Sequence, residues 1–166
     1  MSNSEVRITK AEEKDIPMIL DFIRMIAEYE KLSHEVTATE DTLRRALFSA
    51  GSTTKVVFAF MGDEAVGYAV YFNNFSTFVG RNGIYLEDIF IRPEYRRNKI
   101  GAKLFAYLIR EAKTNNNGRI EWCVLDWNKP ALDFYNKLGA ECMEEWKLYR
   151  LRENNFGPAL EILEKN

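Results

Sequence analysis

The sequence predicts an α/β (α+β) fold: a mixed, mostly antiparallel sheet with helices on both faces. Three observations carry that expectation. Apolar residues recur at helical spacing over 16–27 and again over 104–112. Between them, "KVVFAFMGDEAVGYAVYFNNF" reads as two strands joined at Gly62-Asp63, a hairpin signal. After the hairpin, strand-like and helix-like segments alternate, which places helices on both sides of one sheet.

Each element has a local reason. Residues 5–9 read as a short first strand. Asp15 is placed to cap a helix whose first turn tolerates Pro17. Ile16, Ile19, Leu20, Ile23, Ile26 and Ala27 form its apolar stripe, widened by Phe22, Met25 and Tyr29. Thr37 and Glu40 make a capping-box pattern ahead of a second helix carrying Leu43, Ala46 and Leu47. "GIYLEDIFIRP" is a strand ended by Pro93, and 99–113 is a helix with Leu104, Phe105, Leu108, Ile109 and Ala112 on one face. "RIEWCVLDW" alternates as a strand. Asn128 is placed to cap a helix over 129–138 that stops at Gly139. "EEWKLYRLR" reads as a last strand, and 154–164 as a weak terminal helix. The predicted order is β-α-α-β-β-β-α-β-α-β, with no repeat, low-complexity tract or linker, so 1–166 reads as a single domain.

Composition narrows the function. The 166 residues suffice for a real core, and 46% are hydrophobic, which argues against disorder. A net charge of −2 lacks the positive excess of a general nucleic-acid binder. "MSNSEVRITKAEEKD" holds no apolar signal core and no run approaches a membrane span, so a cytoplasmic protein is expected, with no membrane partner. Cys123 and Cys142 are too few for a disulfide framework and read as plain thiols. His34 is the only histidine, which removes histidine triads and leaves no histidine cluster for a metal. Acid–base chemistry falls to carboxylates, Tyr or Lys.

Two stretches attract attention. "EYRRNKIGAKL" surrounds a helix start with cations, and the first amides of a helix have no intrahelical partner and carry the positive end of its dipole. It reads equally as a phosphate cradle or as a solvated basic turn. "YLEDIFI" puts Glu87 and Asp88 inside an apolar strand, where carboxylates are costly. On alternation they point to opposite faces, and they read either as site residues or as members of a salt bridge.

Taken together, "YLEDIFIRPEYRRNKIGAKL" resembles the acetyl-CoA-binding core of the GNAT acetyltransferase superfamily, with its strand, R/Q-x-x-G-x-G/A loop and helix. Arg96 fits the first position and Gly101 the last, while Lys99 stands where the first glycine is expected and Arg97 where glycine is frequent. "AEYEKL", "PEYR", "DWN" and "DFYNKLGA" extend the likeness over about 5–152, and within the superfamily the chain looks most like the diamine (spermidine/spermine) and thialysine N-acetyltransferases.

The resemblance implies the GNAT acyl-CoA N-acyltransferase fold, acetyl-CoA as cosubstrate without a metal, a small amine partner and a homodimer. It implies that Ile89, Phe90 and Ile91 meet the pantetheine arm, and that Arg96, Arg97, Asn98, Lys99, Ile100, Gly101 and Ala102 hold the pyrophosphate. Asn128, Lys129, Pro130 and Tyr135 complete the cofactor contacts. It makes Glu87 the general base through water and Tyr135 the acid for the CoA sulfur; without it, Tyr135 is an ordinary core aromatic beside Phe134. It implies that Tyr29, Glu30 and Glu87 line the acceptor site and that Asp88 is structural or supports substrate binding, although "EYEK" alone is also a routine polar helix end. Polyamine-acetylating members tend to show Asp and Trp in the region where "NNFSTFVG" has Ser76 and Phe78, so the thialysine-type branch is favoured. Acetylation of proteins or peptides, and CoA binding without catalysis, are the competing expectations.

Overall fold

The computed structural model describes residues 5–165; residues 1–4, part of the start read above as leaderless, and residue 166 lie outside them. The chain forms two compact units, Met1–Cys123 and Val124–Asn166. The first holds β1 (Val6–Lys10), α1 (Ile16–Tyr29), α2 (Glu40–Phe48), β2 (Lys55–Met61), β3 (Glu64–Ser76), β4 (Arg81–Ile91), α3 (Ile100–Thr114) and β5 (Ile120–Trp122). The strands lie in sequence order in one sheet. The first three pairings are antiparallel and β4 pairs β5 in parallel, the mixed sheet expected.

The hairpin forms where the sequence places it. Met61 pairs Glu64 across Gly62-Asp63, and Gly62 takes φ +61°, the left-handed first position of a tight hairpin turn. One face of the sheet packs on α1: Ile19 and Phe22 pack with Val56, Phe58, Tyr68, Val70 and Phe90. Phe22 stacks on Tyr68 at 4.9 Å and also meets Phe58 and Phe90. The other face takes α3, where the Tyr71 hydroxyl donates to Glu111 at 3.4 Å and Phe105 meets Trp122 edge-on. Leu104, Leu108 and Ala112 are buried as read, but Ile109 lies outside the stripe, exposed.

Several expected ends move. Thr39, not Thr37, caps α2, and its box partner is Thr42 rather than Glu40; Thr39 Oγ1 accepts from the Thr42 amide at 3.2 Å. Asp15 makes no side-chain cap on α1; its carboxylate instead accepts from the Glu12 amide at 2.8 Å, closing the turn before the helix. "RIEWCVLDW" is strand only over Ile120–Trp122.

The second unit contains α4 (Lys129–Lys137) and α5 (Phe156–Glu164). Gly139, at φ +76°, ends α4 in a Schellman turn: its amide reaches the Asn136 carbonyl and the Ala140 amide reaches that of Tyr135. Residues 144–152, read as a last strand, form none. Alternation alone does not make a strand, because the ladder must be supplied by a neighbour.

Candidate active site

The site in the first unit begins with an irregularity in β4. Val70 of β3 pairs Asp88, yet the next residue, Tyr71, pairs Leu86, so Glu87 is a surplus residue in a β-bulge. Simple alternation therefore fails here. Leu86 sides with Tyr71 towards α3, and Asp88 sides with Val70 towards α1. Glu87 is exposed, and its charge helps raise the phenols of both Tyr68 and Tyr85.

Asp88 is held in that wall. The hydroxyl of Tyr68, a fully buried side chain, donates to Asp88 Oδ2 at 2.8 Å. Burial pushes the Asp88 carboxyl up from its ordinary value, and the Tyr68 hydrogen bond draws it back. Glu30, at the end of α1, is also pushed up, first by burial and then by the charge of Asp88. The phenol of Tyr68 is pushed well above its usual value by burial, then by Asp88, with Glu30 and Glu87 adding to it. Three carboxylates thus share one neighbourhood, which suits a cation. Sequence reasoning named Glu30, Glu87 and Asp88 but missed Tyr68. In "AVGYAVYF" nothing distinguishes a phenol with a carboxylate partner from a plain core aromatic.

Tyr29 is part of the same wall, with its ring 6.2 Å from that of Phe90. Arg96 lies against both rings, its guanidinium 4.5 Å from the Tyr29 centroid and 5.6 Å from that of Phe90. Its Nε donates to the Ile91 carbonyl at 3.2 Å. The arginine expected at an anion thus lies on the rings of Tyr29 and Phe90.

Downstream of the bulge, the parallel pairing of β4 with β5 stops at Leu86 with Trp122. The edge of β4 over 87–91 takes no ladder partner from β5, a place for an extended ligand to add as a strand. Ile89, Phe90 and Ile91 lie on this stretch of β4.

The loop answers the question raised by its missing glycines. Arg97 has φ +69° and Lys99 φ +59°, both left-handed, so these two residues adopt the backbone that glycine would. Lys99 is the N-cap of α3 and not a helical residue, which replaces the expected helix start at 99 with one at Ile100. The two left-handed residues flank Asn98, whose side chain donates to the Tyr95 carbonyl at 3.1 Å. Left-handed residues of this kind are the backbone on which anion-binding loops are built, and the first amides of α3 follow directly. At Gly101, an added Cβ would stand 3.3 Å from Ile91 Cδ1. Glycine there lets the first turn of α3, including Ala102, sit close over the end of β4.

In the second unit, Asn128 stands at the N-cap of α4 but makes no side-chain cap; its carbonyl accepts from Ala131 and Leu132. Lys129 is paired with Asp133 at 2.8 Å, one turn on, and Pro130 lies in the first turn. Tyr135 is buried, its ring 5.5 Å from Phe134. Burial pushes its phenol up, so it keeps its proton at neutral pH.

The Acetyltransferase (GNAT) family profile matches residues 19–140. A thialysine N-epsilon-acetyltransferase of Bos taurus is 39% identical, covering 87% of this chain and 91% of that protein. An L-ornithine N5-acetyltransferase of Arabidopsis thaliana is 30% identical, covering 96% and 88%. Among solved structures, an integron cassette protein of V. cholerae superposes with a TM-score of 0.77 at 26% identity, covering 94% of this chain and 98% of that one. The chain belongs to the GNAT acetyltransferase family and is an N-acetyltransferase.

Proposed function

We propose that the protein moves the acetyl group of acetyl-CoA to a primary amine of a small cationic acceptor, a lysine-like amino acid such as thialysine or ornithine in preference to a polyamine. The observation that carries this reading is the grouping of Glu30, Glu87 and Asp88 around Tyr68, beside the open edge of β4. Three acidic groups beside Tyr29 suit an ammonium, and the names of the relatives point to the same class of acceptor. The reading extends to one domain over 1–166, a cytoplasmic homodimer and chemistry without a metal.

An alkyl ammonium has a pKa of about 10, so the acceptor arrives protonated. Glu87 takes the proton through water, and the free amine attacks the thioester carbonyl. A C–N bond forms as the C–S bond breaks, Tyr135 gives its proton to the departing sulfur, and the second proton of the attacking nitrogen passes through solvent to the Tyr135 phenolate, restoring the acid. The strand edge at Ile89, Phe90 and Ile91 holds the pantetheine arm. Arg96, Arg97, Asn98, Lys99, Ile100, Gly101 and Ala102 hold the pyrophosphate, and Asn128, Lys129 and Pro130 add contacts.

Calorimetric titration with acetyl-CoA tests the first half. Binding should be clear in the wild type and about tenfold weaker in Arg96→Ala, the loss expected for one charge-assisted bond. Turnover of a panel of free amines beside peptides at equal concentration tests the second half, and a preference for peptides would overturn the acceptor assignment.

Lys99→Gly separates backbone from charge. It removes a left-handed non-glycine residue costing about 1 kcal/mol, but a more flexible unfolded chain offsets most of that. Tm should stay within about 4 °C of the wild type. The slope of log affinity for acetyl-CoA against log salt should flatten, because one cation near the phosphates is gone.

A further inference from the structure

Tyr68 is a buried polar side chain that the chemistry above leaves without a role. It is 0% exposed, and a phenol in that position must find an acceptor for its hydroxyl. It finds Asp88 Oδ2 at 2.8 Å, twenty residues away in the chain. Its ring is clamped from the other side, stacked on Phe22 at 4.9 Å with 24° between planes. The sheet fixes it further: Tyr68 pairs Phe90 and, on the diagonal, reaches Asp88, opposite Val70. The donor oxygen therefore has little freedom, and neither has the carboxylate oxygen that accepts from it.

We propose that Tyr68 is the positioning residue of the acceptor site, holding the Asp88 carboxylate in the one orientation that receives the cationic amine. This rests on the acceptor assignment made above. A carboxylate beside a bulge has lost part of the regular ladder that would fix its backbone, so a side-chain tether has something to correct. Tyr68 also keeps Asp88 available as an anion, because the hydrogen bond draws its carboxyl down against the effect of burial. The charged and titratable groups around the pair are Glu30 from the end of α1, Glu87 from the bulge, and the two arginines stacked on the adjoining rings, Arg92 over Phe22 and Arg96 over Tyr29 and Phe90.

The test is Tyr68→Phe, which removes one oxygen and keeps the ring against Phe22. KM for the amine should rise about tenfold, the loss of one hydrogen bond to a charged group, with kcat and acetyl-CoA affinity little changed. The acid limb of kcat/KM for the amine should move to higher pH, because Asp88 loses the donor that draws it down. A residue that only fills the core would lower Tm without moving that limb. On an Asp88→Asn background, Tyr68→Phe should add no further loss, since its effect passes through Asp88. An active wild type with an unchanged amine KM and acid limb in Tyr68→Phe overturns this inference alone. A full further loss on the Asp88→Asn background does the same. A wild type that acetylates no small amine overturns the acceptor assignment and the inference with it.

Discussion

Tyr135→Phe is expected to lower kcat by about 10²–10³-fold, the range for losing a positioned general acid, while KM for acetyl-CoA stays near its wild-type value. The reason lies in the burial of this phenol on α4. Burial raises its pKa, so the hydroxyl is a proton reservoir across the neutral range and surrenders its proton only in alkali. In the wild type, kcat should therefore fall on the alkaline side, as the acid is lost by titration, and the variant should lack that limb. Phenylalanine preserves the ring contact with Phe134, so the variant should fold. Release of the CoA thiol, followed with a thiol reagent, reads the rate. Turnover at the wild-type rate would remove Tyr135 from the mechanism and leave the leaving sulfur to depart as thiolate.

The largest loss of stability is expected from Phe22→Ala, about 3–5 kcal/mol. Phe22 is fully buried at the centre of the α1 face. Its ring meets Phe58, Tyr68 and Phe90, and the Arg92 guanidinium lies 5.5 Å from its centroid. Truncation leaves a cavity against three strands that are held by their own ladders and cannot collapse into it. Chemical denaturation should show a lower midpoint with a similar slope. Because Tyr68 loses its stacking partner, the amine KM should rise as well. A loss below about 1 kcal/mol would mean that α1 repacks over the gap.

Much of the first unit was legible in the sequence, because its signals are local. The Gly62-Asp63 turn, the stripe of α1 and the buried face of α3 depend on residues within a few positions of one another. The bulge at Glu87 was not legible: it exists only in the pairing of β4 with β3, and no spacing within "YLEDIFI" announces it. The cap of α2 was ambiguous for a similar reason. Thr37 and Thr39 each stand three residues before a side chain able to close a box, and the first helical turn decided between them. Residues 144–152 have the alternation of a strand without forming one, since a ladder needs a second chain segment. The likeness that named the site residues supplied chemical types at positions. It could not show that Arg96 turns onto Tyr29 and Phe90, a choice made by the nearness of α1 to the end of β4.

The bulge has one more consequence. Leu86 and Asp88 already stand on opposite sides of the sheet and pair with successive residues of β3. Without Glu87 they would simply be adjacent rungs of an unbroken ladder. The register of the flanking rungs therefore does not depend on this position. The carboxylate proposed as base thus sits on an extra residue between two rungs that keep their own pairing, so the chemistry carried there can change without shifting the register of the sheet.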